Sequence, residues 1–124
     1  MDTINILVGK LTLTAELSDT LTARRILNAL PFEGKVNRWG DEIYFDIPLK
    51  TGLEPDARAG VEIGELGYWP SGPAFCIFFG PTPVSIDEKP RAYSAVNVFG
   101  RIVGDSSPLK SVPDGAKITV KRAE

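Results

Sequence analysis

Histidine is absent from this chain of 124 residues, and cysteine and methionine occur once each. Without histidine, the commonest metal ligand and the commonest general base near neutral pH are both missing. One cysteine cannot form an internal disulfide, and it excludes a CxxC redox pair or a cysteine-rich metal site. The spacings Gly64/Gly67 and Gly100/Gly104 are not followed by a phosphate-loop lysine or a dinucleotide fingerprint. Neither a metal nor a cofactor is implied. Charge of one sign is also lacking: 14 basic residues against 16 acidic ones leave a net charge of −2. That balance provides no electrostatic footprint for nucleic acid and no basic patch for an anionic membrane. Long apolar runs are missing too, as is a signal-peptide pattern at the start, so a cytoplasmic location is the expectation.

What remains is a chain rich in short β-patterns and in turn residues, with 12 glycines and 10 prolines. Its length fits a single domain, residues 1–124, able to bury a core without staples. Thr3 to Val8 and Lys10 to Leu17 read as a hairpin turning at Gly9, the second strand alternating Leu11, Leu13, Ala15 and Leu17 with polar residues. A helix capped by Ser18 or Asp19 is expected to run to about Leu30, with Leu21, Ile26, Leu27 and Leu30 on its apolar face. Pro31 stops it. Glu42 to Ile47 alternates as a strand, with Ile43, Phe45 and Ile47 opposite Glu42, Tyr44 and Asp46. Thr51 to Gly60 reads as a surface loop, and Val61 to Gly67 as a short strand interrupted at Gly64.

The stretch from Gly67 to Pro83, GYWPSGPAFCIFFGPTP, organises the chain. It contains the single cysteine and three of the six phenylalanines. Prolines confine its apolar run, Ala74 to Phe79, to strand length. Alternation sends Phe75, Ile77 and Phe79 to one face, the core, and Ala74, Cys76 and Phe78 to the other. A turn-rich connection, Gly80 to Pro90, leads to a strand at Ala95 to Val103, in which Gly100 marks a bulge or a close approach. A helical turn beginning near Pro108 and a strand at Lys117 to Lys121 complete the pattern. About eight short strands with one main helix and Pro/Gly turns predict a mainly β fold, a barrel or sandwich closed by a helix.

Several residues qualify for a site. Tyr68, Trp69 and Pro70 can wall a pocket or staple a turn to the sheet, and Trp39 has the same two readings. Asn37, Arg38, Glu42, Tyr44 and Asn97 form a polar set. They fit a solvated face or hydrogen-bond network, or else a ligand site in which Arg38 anchors an anion and Asn97 and Tyr44 orient it. Cys76 has no histidine partner to make it a nucleophile and reads as a small buried hydrophobe.

Four segments carry a family resemblance. GPAFCIFFGPTP resembles the cyclophilin segment in which a glycine precedes a Gln-Phe-Phe-Ile core strand and a small–Pro/Lys–Thr turn. VNVFGRIVGD resembles the Val-Phe-Gly-Lys/Arg-Val strand that follows it. Taken with VNRWGDEIYFDIP and EIGELGYWPSG, the pattern resembles the small prokaryotic cyclophilin-like proteins, a group without an assigned activity, from about Leu7 to Val120. The resemblance implies a closed cyclophilin-like β-barrel of about eight strands with one main helix, a short helical turn and a groove along one outer face. In isomerases of this fold an arginine supports the twisted amide, and aromatics, a glutamine and a histidine line the proline pocket. Matching strands sets Ala74 at the glutamine, Cys76 at a pocket phenylalanine and Val96 near the histidine, while VNRW sets Arg38 opposite the arginine. The expected function is therefore binding of a small molecule or a short, proline-containing peptide. The groove would be formed by Asn37, Arg38, Trp39, Glu42, Tyr44, Trp69, Ala74, Cys76 and Asn97. The first alternative is a peptidyl-prolyl isomerase with an altered pocket, Arg38 being its catalytic candidate. The second is a non-catalytic subunit-interaction protein.

Overall fold

A computed structural model of the chain describes residues 2–123. The strands are β1 (Thr3–Val8), β2 (Leu11–Leu17), β3 (Phe32–Lys35), β4 (Asn37–Arg38), β5 (Glu42–Asp46), β6 (Arg58–Gly60), β7 (Glu65–Trp69), β8 (Ala74–Phe78), β9 (Arg91–Ile102) and β10 (Lys117–Arg122). A helix, α1 (Leu21–Ala29), and a 3-10 turn, Ser107–Ser111, accompany them. The hairpin turning at Gly9, the strand from Glu42 and the central strand from Ala74 all form as their alternation predicts.

The closed eight-stranded barrel does not form. The sheet has ten strands in the open order β3-β10-β1-β2-β9-β7-β8-β5-β4, with β6 added beside β9. Its two ends, β3 and β4, are consecutive in the chain and separated by Val36 alone. Residues 32–35 pair with β10, whereas Asn37 and Arg38 pair with β5. The ends are thus joined through the backbone at Val36 and not by a ladder of hydrogen bonds. Val36 is fixed there by its own amide donating to the Ala116 carbonyl and by its carbonyl accepting from the Gly115 amide, at 2.9 and 2.8 Å. Neither β3, with its internal glycine, nor β6, within TGLEPDARAG, carries a strand pattern; each exists because a longer neighbour offers it an edge.

α1 starts one residue later than the Ser18/Asp19 expectation allows. Thr20 is the cap, its hydroxyl accepting from the Ala23 amide at 3.1 Å, which satisfies one of the free donors of the first turn. The buried face is Thr22, Ala23 and Ile26, while Leu21 stays 46% exposed. Burial of Thr22 is explained by its hydrogen bonds, described below.

The main core lies on one side of β5 and β8 and includes Ile43, Phe45, Phe75, Ile77 and Phe79, together with residues of β1, β2, β7, β9, β10 and α1. Phe75 contacts Phe45 and Phe99 at centroid separations of 5.4 and 5.1 Å. A second, smaller cluster lies on the other side: Ala74, Cys76 and Phe78 with Val61, Ala92 and Val96. The division of the central strand is the expected one. Its second face, however, is buried as completely as the first, because Val61, just after β6, and Ala92 and Val96 of β9 pack onto it.

Candidate functional site

A cavity of about 280 Å³ opens on this second cluster, lined by Trp39, Glu42, Tyr44, Trp69, Cys76, Ala92, Tyr93 and Val96. Its floor comes from β5 and β8. Tyr44 lies opposite Cys76 and Glu42 opposite Phe78 in the antiparallel register, so Glu42, Tyr44 and Cys76 share one face by period-2 alternation. β7 lies on the other side of β8, with Gly67 opposite Cys76. A Cβ at Gly67 would stand 2.9 Å from Val96 and 3.1 Å from Phe78. Only glycine allows Val96 to descend onto the floor at this point.

The rim is aromatic. Trp39 and Glu42 flank a two-residue hairpin loop and exchange backbone hydrogen bonds of 2.9 and 3.2 Å. Gly40 takes φ +61° in that loop, the first position of the pair, where a hairpin of the II′ type requires glycine. Tyr93, on β9, stands between Trp39 and Trp69, with ring centroids 6.2 and 6.3 Å away in edge-to-face orientations. The Trp69 indole N–H donates to the Ser94 hydroxyl at 2.7 Å, which fixes that ring.

Glu42 is the chemical centre. The residue is only 5% exposed, and its Oε1 has no hydrogen-bond partner. Burial raises its pKa from the ordinary 4.5 to about 7, opposed by the neighbouring Cys76 thiol. Burial, then the adjacent Glu42 charge, pushes the Cys76 thiol well above its usual range. The Tyr44 hydroxyl is raised by the same two causes, burial first. Cys76 is therefore a thiol near neutral pH, not a nucleophilic thiolate. The wall can hold or release one proton close to neutrality, at Glu42. Among the described residues there is no cluster of three or more His, Cys, Asp or Glu side chains suited to a metal.

The sequence-derived candidates separate into two groups. Trp39, Glu42, Tyr44, Trp69 and Cys76 come together in the wall, with Ala74 buried in the same cluster. Asn37, Arg38 and Asn97 are not part of the lining. Asn37 is exposed, and its amide donates to the Tyr44 carbonyl at 3.4 Å. Arg38 is a clamp. Its Nε donates to the Gly40 carbonyl at 2.7 Å, and its Nη1 to the carbonyls of Lys110 and Val112 at 2.9 and 2.8 Å. Its Nη2 pairs with Asp41 at 3.0 Å, and the guanidinium lies 5.0 Å from the Phe79 ring centre. It joins the β4–β5 hairpin to the 3-10 turn, with its Nε, its Nη1 and one side of its Nη2 engaged within the protein.

Asn97 is likewise structural. Its Nδ2 donates to the Gly52 carbonyl at 2.9 Å and to the Thr22 hydroxyl at 3.1 Å, while its Oδ1 accepts from the Glu54 amide at 2.8 Å. Thr22 in turn donates to the Glu54 carboxylate. Tyr68 resolves as a staple, fully buried, donating to the Leu49 carbonyl at 2.7 Å. Ala92 and Tyr93 are the wall residues that sequence reading missed. Both precede the Ala95 at which apolar alternation begins, and a tyrosine in RAYSAVNVF was the one available signal.

Comparison with known proteins is consistent with this architecture. The model of the cyclophilin-like family matches residues 2–121. The solution structure of a hypothetical protein from Archaeoglobus fulgidus is similar at 42% sequence identity and a TM-score of 0.83, covering 98% of this chain and 95% of that one. No curated protein matches.

Proposed function

This chain belongs to the cyclophilin-like family, and from that premise we propose that it is a binding protein for a small molecule, taken up in the aromatic-walled cavity over β5 and β8. One observation carries the reading: a buried carboxyl without a hydrogen-bond partner for Oε1 forms part of the wall of an open, aromatic-rimmed cavity. Buried polar groups are normally paired, and an orphan costs about 1–3 kcal/mol. A ligand that supplies the missing partner removes that cost. The rim supports the same reading, since Trp39, Tyr93 and Trp69 offer rigid contact area at low entropic cost.

The isomerase alternative has the aromatic wall in its favour, but the arginine that the resemblance implied is outside the lining. Arg38 is engaged in the hairpin clamp, and the Trp69 indole N–H is bonded to Ser94. Titrations of small metabolites and of proline peptides, followed by amide chemical shifts, test the proposal. Shifts should concentrate at Trp39, Tyr93 and Cys76, and Tyr93→Ala should weaken the tightest binder about tenfold. If no compound in either set perturbs these amides, the cavity is not a binding site.

A further inference from the structure

We propose, resting on the cavity as the binding site, that its ligand is a small organic monocation with N–H donors, a primary or secondary ammonium, held by the Glu42 carboxylate inside the cage of Trp39, Trp69 and Tyr93. The charge inventory of the wall argues for it. The ionisable side chains sharing the wall with Glu42 are Tyr44 of β5, Cys76 of β8 and Tyr93 of β9, and none of them is cationic. The nearby guanidinium of Arg38 is tied to Asp41 and to the backbone carbonyls of the 3-10 turn. Among the described residues the carboxylate therefore has no positive partner, and the complement to a lone buried anion is a single cation.

The walls argue for the same class. Three electron-rich rings around one cavity attract a cation through their quadrupoles, most strongly where water is excluded. An ammonium with N–H groups satisfies what a quaternary one cannot: the vacant Oε1 needs a donor. A divalent metal does not fit, because Glu42 is the one carboxylate in the wall. The cavity volume of about 280 Å³ suits a compact amine such as a ring of six carbons bearing one ammonium group.

Cyclohexylammonium, its neutral counterpart cyclohexanol and tetramethylammonium serve as matched probes, measured by calorimetry and by amide shifts. At pH 8 cyclohexylammonium should bind at least about tenfold tighter than either other probe. Its affinity should fall about tenfold for each pH unit below about 7, as Glu42 takes up a proton, while cyclohexanol stays level. Glu42→Gln should erase both the preference and the pH dependence. Equal binding of all three probes, or tighter binding below pH 6 by a neutral acceptor to the protonated carboxyl, would overturn the ammonium assignment and leave the binding site standing. If none of the probes shifts Trp39, Tyr93 or Cys76, the assignment falls together with the site.

Discussion

Of the buried polar residues in this fold, Asn97 and Glu42 are built on opposite terms. Asn97 is 1% exposed, and both ends of its amide are bonded: to α1 through Thr22, and to the loop before β6 through Gly52 and Glu54. Glu42 is as deeply placed but has an oxygen with no partner. The first centre stabilises an irregular segment that has no ladder of its own. The second costs stability and coincides with a cavity. Burial of a polar side chain does not itself point to a site; the binding proposal rests on burial without satisfaction.

Three substitutions would break or sharpen that contrast. The largest effect is expected at Asn97→Leu, which strands the Glu54 amide and the Gly52 carbonyl and takes one of two partners from the Thr22 hydroxyl. A loss of about 4 kcal/mol in urea unfolding is expected; a loss below about 1 would show that water replaces the amide without cost. Glu42→Gln should act in the other direction. Because the folded protein holds this proton up to about pH 7, while the unfolded chain releases it near 4.5, wild-type stability carries a term that is fully present below 4.5 and is lost as pH rises through 7. Removing the ionisation should therefore stabilise the protein at pH 8 by about 3 kcal/mol relative to its effect at pH 4. A difference independent of pH would mean that Glu42 titrates normally. The smallest effect belongs to Arg38→Ala, about 2 kcal/mol, because the clamp is partly solvated. Ligand affinity in the cavity should be unchanged by it; a tenfold loss would return Arg38 to the site.

Legibility in the sequence followed the range of the interaction. The two faces of β8 could be read from AFCIFF, because alternation is local and proline fixed the strand's length. The same holds for Glu42 and Tyr44 on one face of β5. The fate of Arg38 could not be read, since its partners at Lys110 and Val112 lie some 70 positions along the chain. A hydrogen-bond network is one of the readings open for Asn97 from sequence, but its partners at residues 22, 52 and 54 could not be picked out by pattern. The expected closed barrel failed for a related reason: whether residues 32–38 seal the sheet depends on a change of partner at Val36, and no residue type encodes that. Family resemblance brought the right fold family, but set a pocket arginine on a residue that holds a hairpin.

Trp39 and Trp69 are the two tryptophans of the chain, and both stand in the wall of the same cavity, each edge-to-face with Tyr93. Their emission consequently reports on a single place. Any occupant that excludes water from that rim, or brings a charge against the indoles, should change the colour and yield of the whole protein's intrinsic fluorescence. The molecule carries its own optical indicator of occupancy, with no label and no background from indoles elsewhere.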